Sequence, residues 1–453
     1  MKALNALGPE NISRCPGFEF RNTSVHPDSV HGKLRSFKPD ICCYSVEHLD
    51  KVAIQRKKNE PSPSVHSARS SMIHAALFFE LKSSPELDCF ADPPDHVDRR
   101  SWKFVLNLSH LKDQELHKRV KTAFGQHVGY ATDILARQHR HCCYSVSMSG
   151  THARLIRWDR AGAIVSTSFD LLEQPSILCE FLWCFGRGGV AKRGYDLTIR
   201  AANATQQDIF KAAVTKHISY QLEDRDSATQ QTALNEHYQP GSVVKLKMDC
   251  DGHPPDGRLR LLICRPVSYP LSPTGRGTRG YWAVDSDPPH DVYFLKDTWR
   301  YNRLGSFPSK KEGDIIRSLQ AGHVPNVPQV KCDGDVLIRD EHLHYEDDRN
   351  VRTLRNDLRT WANLHACTQT DVIPADPQMT QTQNYLNADW VCGASHNGGR
   401  FLGRIAAHTH YRLVLKVAGY SLLSFTGTSE LLHATYDAFK GESKRQRFSM
   451  KLR

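Results

Sequence analysis

Short apolar runs separated by polar segments dominate the first two hundred residues. The runs at 41–46, 75–79 and 142–146 predict three buried strands, because each is short, apolar and bounded by polar residues. Residues 154–159 and 163–168 flank a turn and predict a hairpin, and apolar positions at helical spacing predict a helix around 177–185. The pattern indicates an α/β domain.

The second half of the chain carries a different series of elements, in which predicted strands and helices both occur. A long polar insertion over 333–383 interrupts the series and is predicted to lie at the surface. The predicted elements are helices at 206–220, from Glu312, at 351–361 and at about 428–439, and strands at 242–248, 258–264 and 411–417.

These elements divide the chain into four predicted segments with an α+β fold class overall. They are an irregular N-terminus (1–30), an α/β domain (31–200), a helical linker (201–240) and a second domain of strands and helices (241–453).

A glycine-rich loop between two predicted strands is the first candidate site. Gly275, Gly277 and Gly280 occupy the glycines of G-x-G-x-x-G, and Lys296 ends a later apolar run. Glycines let backbone N–H groups approach phosphates, and a strand-borne lysine supplies a fixed positive charge that Glu312 can hold in place. Glycine clusters also mark plain hairpin turns, and a carboxylate is favoured at any helix start. The spacing therefore leaves both a nucleotide site and an ordinary turn open.

A second candidate site lies near the N-terminus. Pro39 and Asp40 precede one predicted strand, and Glu80 and Lys82 end the next one. Residues two apart on a strand share a face, so Asp40 on a neighbouring strand can join the pair. Two carboxylates are hard oxygen ligands for Mg²⁺, and the lysine can orient an attacking water. The alternative is a solvated acid–lysine pair beside a Pro-Asp turn.

Pro-Asp, an apolar strand and Glu-x-Lys together resemble the PD-(D/E)XK nuclease superfamily. Gln126 and Tyr130, four residues apart, are similar to the helix that RecB-type members add. The resemblance implies an α/β sandwich and a catalytic set of Asp40, Glu80, Lys82, Gln126 and Tyr130, with Asp40 and Glu80 as metal ligands.

Longer runs of sequence carry a second resemblance. They lie at 134–140, 153–165, 178–183, 193–196, 384–390 and 410–416, and they are joined by the glycine loop and by Phe-Leu-Lys at 294–296. Together they resemble the fungal-type protein kinase family over about residues 30 to 440. The resemblance implies a kinase-like N-lobe, made of an antiparallel sheet and a helix, and the start of a C-lobe. It also implies an ATP-dependent Ser/Thr kinase chemistry with ATP and Mg²⁺ as cofactors, and a protein substrate that the sequence does not identify.

The expected catalytic motifs of such a kinase are absent from the printed sequence. It contains no His-Arg-Asp and no Asp-Phe-Gly, which supply the catalytic aspartate and the magnesium ligands. We therefore expect no phosphoryl transfer by this chain, and we interpret it as truncated before the catalytic loop. Two further hypotheses stay open, a Mg²⁺-dependent nuclease or nucleic-acid-binding protein and a non-catalytic interaction protein.

Composition narrows the setting in which the protein works. A net charge of +11 favours polyanionic partners, either nucleic acid or phosphorylated ligands. An odd count of thirteen cysteines without C-x-x-C predicts reduced thiols and an intracellular location, in cytoplasm or nucleus. No signal peptide or membrane span is predicted, so no membrane partner is expected.

Overall fold

The computed structural model describes residues 2–8, 11–28, 37–54, 64–106, 113–223, 225–251, 258–304, 307–338, 376–392, 406–420 and 427–451. The predicted helix at 351–361 lies outside these residues. The chain forms two compact units.

The first unit spans Met1–Asp196, Pro270–Gly277 and Thr380–Ala407 and contains a mixed sheet. Its strands are β1 (Phe18–Asn22), β2 (Ile41–Ser45), β3 (Ala75–Lys82), β4 (Cys142–Ser149), β5 (His152–Asp159), β6 (Gly162–Val165) and β7 (Phe169–Asp170). Strands β1 to β6 are neighbours in chain order, and β7 pairs with β5. Only β3 and β4 pair in parallel among these neighbours. The predicted irregular N-terminus differs from the structure at β1, which forms the edge of this sheet.

Helices cover both faces of the sheet in the first unit. They are α1 (Lys2–Asn5), α2 (Leu49–Val52), α3 (Gln114–Arg137) and α4 (Pro175–Arg187), with 3₁₀ turns at Val46–His48, Pro85–Leu87, Arg99–Ser101 and Thr382–Tyr385. A parallel pair requires a crossover connection, and α3 lies in the one between β3 and β4. Tyr130 and Ile134 of α3 pack with Phe78 in one core, and Leu182 and Phe185 of α4 belong to a separate core. The predicted α/β layering is present, and membership of the nuclease superfamily stays a prediction.

The second unit spans Leu197–Tyr269, Thr278–Met379 and His408–Arg453 and is built on an antiparallel sheet. Its strands are β8 (Ile199–Ala201), β9 (Val244–Met248), β10 (Leu259–Ser268), β11 (Arg279–Asp285), β12 (Val292–Tyr301), β13 (Arg303–Leu304), β14 (Phe307–Pro308), β15 (Val330–Asp335), β16 (Leu337–Ile338), β17 (Asp376–Pro377) and β18 (His408–Leu415). The main sheet has the order β15, β18, β12, β11, β10, β9, β8, and β13–β14 and β16–β17 form separate pairs.

Helices complete the part of the second unit that the structure describes. They are α5 (Ala204–Gln221), α6 (Ser227–His237), α7 (Glu312–Ala321) and α8 (Thr428–Lys451). The segment predicted as a linker holds α5, as expected, and also α6, whose few apolar positions gave no helical signal. Both pack against the sheet through Phe210, Val214 and Leu234. The mixed α and β content, with two large sheets, is consistent with a kinase-like fold.

One cysteine pair departs from the expectation of reduced thiols. Cys250, after β9, and Cys332, on β15, form a disulfide with a Cα–Cα distance of 5.4 Å. They lie 82 residues apart in sequence, so only the fold brings them together. The cysteine doublets at 42–43 and 142–143 form no disulfide and are buried on strands.

Within the described residues, no helix combines the length and apolar character needed to cross a membrane.

Candidate functional site

The end of β3 gathers the predicted nuclease-like residues of the first unit. Lys82 Nζ donates to Glu80 Oε1 at 2.6 Å and to Gln126 Oε1 of α3 at 3.0 Å. Asp40 Oδ2 accepts a hydrogen bond from the backbone N–H of Leu81 at 2.8 Å. The predicted acid–lysine set is therefore contiguous, with α3 supplying the amide.

The Glu80 carboxyl has an unusual electrostatic environment. Its side chain is nearly fully buried, and burial raises its pKa to about 7 although the hydrogen bond and charge of Lys82 lower it. Its Oε2 atom is buried and has no hydrogen-bond partner. Burial also raises the pKa of Tyr130, and the charges of Glu80 and Asp40 raise it further. A buried carboxylate oxygen that accepts no hydrogen bond is available to bind a cation.

A recess with about 330 Å³ of empty space, part of it open to solvent, adjoins Glu80 and Lys82. Its lining includes Phe90, Phe124, His127 and Trp158. His127 gave no signal in the sequence other than its place beside Gln126 on the predicted helix. Burial lowers the pKa of His127 to about 3, and its Nε2 lies 2.7 Å from Ser145 Oγ. A neutral imidazole therefore forms part of the wall.

Asp40 and Glu80 are the residues here that fit a divalent cation. Among the residues with described positions, no group of three or more His, Cys, Asp or Glu side chains is arranged to hold a metal ion. Mg²⁺ commonly keeps several waters and uses one or two protein carboxylates. The unpartnered Glu80 oxygen beside Asp40 fits that mode of binding.

The second unit brings together the predicted lysine and glutamate of the kinase-like site. Lys296 Nζ, on β12, donates to both carboxylate oxygens of Glu312, at 2.7 and 2.8 Å. About a fifth of the Lys296 side chain (23%) is exposed. The lysine is therefore fixed in position and still accessible to an anion.

Tyr411 and Asp333, which gave no sequence signal for this role, hold the start of α7 against the sheet. The backbone N–H of Gly313 donates to Tyr411 Oη at 2.9 Å, and that hydroxyl donates to Asp333 Oδ2 at 2.7 Å. A Cβ at position 313 would collide with the Asp333 carboxylate. Glycine at position 313 therefore allows the start of α7 to lie this close to β15.

The three glycines of the predicted loop occupy different surroundings. Gly275 and Gly277 belong to the first unit, and Gly280 lies on β11 in the second. Gly277 has φ +50°, and a Cβ there would lie 2.5 Å from Nε of the buried Arg160. A Cβ on Gly280 would lie 2.8 Å from a ring carbon of Phe294. Close packing accounts for glycine at 277 and 280, and a phosphate role for the loop stays a prediction.

Comparison with known proteins identifies the family. Neither the curated proteins nor the solved structures include a match to this chain. The family model described as fungal protein kinase matches residues 91–237 and 243–445, which is more than half of the chain. The matched residues include Lys296 and Glu312. The chain therefore belongs to the fungal protein kinase family.

Proposed function

We propose that the second unit binds the phosphates of Mg-ATP at Lys296. The observation that carries this proposal is the two-atom contact between Lys296 and Glu312. A lysine held by a helix-borne carboxylate keeps its ammonium group at a fixed point on the sheet, where it attracts phosphate oxygens. Mg²⁺, when it accompanies ATP, offsets part of the phosphate charge.

We further propose that this chain binds the nucleotide without transferring its phosphoryl group. The printed sequence has neither of the two motifs that would supply a catalytic aspartate and magnesium ligands. Family membership supports ATP and Mg²⁺ as the ligands and leaves the protein substrate unspecified.

Replacing Lys296 with methionine is expected to weaken Mg-ATP binding at least about tenfold, because the phosphates lose their fixed positive charge. Isothermal titration of the whole chain measures the dissociation constant. Lys247→Met is the matched control, since Lys247 is an exposed lysine on β9 of the same sheet. Equal affinities for Lys296→Met and the wild type would refute binding at this lysine.

We propose a second activity for the first unit, Mg²⁺-dependent cleavage of nucleic acid. The observation that favours it is the buried, unpartnered Glu80 oxygen, in a carboxyl that Lys82 and Asp40 flank. Lys82, held by Glu80 and Gln126, can position a water or a phosphate. A bound Mg²⁺ supplies Lewis-acid stabilisation of phosphate charge. The net charge of +11 favours such a polyanionic substrate.

Glu80→Gln is expected to abolish cleavage and to remove a pH dependence of stability. Because folding raises the pKa of Glu80 from its ordinary 4.5 to about 7, the stability linked to its proton is present below pH 4.5 and lost as pH rises through 7. The variant should therefore be more stable than the wild type at pH 8 by roughly 3 kcal/mol, with little difference at pH 4.

Cleavage of single- and double-stranded DNA and RNA, and urea unfolding at both pH values, measure the two effects. Lys82→Ala and Asp40→Ala should also lose cleavage, and the exposed Glu86→Gln serves as the matched control. If the folded wild type cleaves nothing with Mg²⁺ or Mn²⁺, the nuclease proposal fails. If Mg-ATP binding also fails, a non-catalytic interaction protein is the remaining hypothesis.

A further inference from the structure

The sheet face that carries Lys296 also carries two large aromatic side chains. Phe294 is two residues before Lys296 on β12, so both point to the same face. Trp282 on β11 lies directly opposite Phe294 in the antiparallel register. An aromatic surface therefore adjoins the proposed phosphate-binding lysine.

Helices α5 and α6 cover this aromatic surface. Their residues Phe210, Val214 and Leu234 form one buried cluster with Trp282, and Phe294 packs against that cluster. Trp282 is 1% exposed as a result. The largest aromatic group beside Lys296 is thus inaccessible to any ligand while the two helices stay in place.

The last residue of α6 occupies the face of the indole. The His237 ring is stacked on Trp282 with centroids 3.6 Å apart and an interplanar angle of 11°. Burial lowers the pKa of His237 to about 4, with smaller contributions from His217 and Arg265, so the imidazole is neutral at pH 7. Neither ring nitrogen has a hydrogen-bond partner. A buried ring with two unsatisfied nitrogens costs stability, so its departure from this position is less unfavourable than that of a satisfied group.

Polar contacts tie α5 to the segment that follows β18. His217 Nε2 donates to the carbonyl oxygen of Ala418 at 2.8 Å, and Gln221 Nε2 donates to the same oxygen at 2.6 Å. Trp282 Nε1 donates to the neighbouring carbonyl of Gly419 at 3.4 Å. These neutral hydrogen bonds add to the apolar packing of α5 and are contacts that a polar ligand can replace.

We propose that α5 and α6 act as a built-in cover of the nucleotide site, in which His237 occupies the place on Trp282 where a flat nucleobase stacks. The inference rests on the proposed binding of ATP phosphates at Lys296. Aromatic side chains bind bases by stacking without requiring a particular sequence of donors and acceptors. Binding of the nucleobase then requires that His237 leave the Trp282 face. The apparent dissociation constant for Mg-ATP therefore equals that of the uncovered protein divided by the fraction of molecules that are uncovered.

His237→Ala tests the cover, because it frees the indole face without touching Lys296. The variant is expected to bind Mg-ATP at least about tenfold more tightly than the wild type, measured by isothermal titration of the whole chain. Glu236→Ala, an exposed neighbour on α6, is the matched control and should bind as the wild type does. His237→Ala combined with Lys296→Met should lose the gained affinity.

Hydrogen exchange of the wild type gives a readout that does not depend on the variant being folded. Saturating Mg-ATP should increase exchange in α5 and α6. The cover is refuted if His237→Ala binds Mg-ATP no more tightly than the wild type, or if Mg-ATP leaves hydrogen exchange in both helices unchanged. If Lys296→Met still abolishes binding in either case, the proposal of ATP binding at Lys296 stands. If neither the wild type nor the folded His237→Ala binds nucleotide, both proposals are refuted.

Discussion

Replacing Asp297 with alanine is expected to lower the free energy of unfolding by about 3–5 kcal/mol, as removal of one member of a buried ion pair commonly does. Asp297 is 1% exposed on β12, and its carboxylate contacts His410, Arg279 at 3.1 Å and Arg412 at 3.7 Å. The alanine variant leaves both guanidinium groups buried without this carboxylate. Urea unfolding at pH 7 measures the loss.

The effect of Asp297 should also depend on pH. Burial raises the pKa of its carboxyl, but His410, Arg279 and Arg412 together lower it more, so it lies well below its ordinary range. A lowered folded-state pKa contributes stability above the unfolded value, near 3.8, and this contribution is lost as pH falls below it. The difference between wild type and Asp297→Asn should therefore narrow below about pH 4.

A surface pair provides the control for Asp297. Asp287 contacts Arg260 at 2.8 Å, and both side chains are more than half exposed. Asp287→Ala should cost less than about 1 kcal/mol, because water screens an exposed pair. Equal losses for the two aspartates would mean that the buried network contributes no more than a surface contact.

Replacing Gly277 with alanine is expected to destabilise the first unit by about 4 kcal/mol, combining left-handed backbone strain with a steric clash. The clash is with Arg160, which is 2% exposed. Its guanidinium donates to the carbonyl oxygens of Leu135, Ser272 and Pro273, so it cannot move without breaking buried hydrogen bonds. Thermal and urea unfolding measure the loss.

Gly275 separates backbone strain from packing. It also has positive φ, +88°, but a Cβ there meets nothing within 4 Å. Gly275→Ala should therefore cost only about 1 kcal/mol. If Gly277→Ala instead is as stable as the wild type and binds Mg-ATP more weakly, glycine at 277 allows the loop backbone to approach the phosphates. Close packing against Arg160 would then be the wrong explanation for this glycine.

In both candidate sites, the residues whose placement depends on local spacing could be predicted from the sequence. Glu80 and Lys82 share a strand face because they are two residues apart, and Glu312 begins a helix because apolar residues follow it at helical spacing. The close approach of Arg160 to Gly277 and the stacking of His237 on Trp282 gave no such signal. They join side chains that are distant in sequence, and no periodic pattern encodes such a contact.

The sequence by itself determined most of the strands and helices, the family and the residue types of two possible sites. It could do so because alternation, helical spacing and long matching runs are properties of neighbouring residues. Only the tertiary structure decided that Lys296 meets Glu312, that Glu80 keeps a buried oxygen without a partner, and that Cys250 pairs with Cys332. It also decided that α5 and α6 pack over the sheet. These outcomes depend on burial and on side-chain packing between distant segments, which set the local dielectric and the available donors at each site.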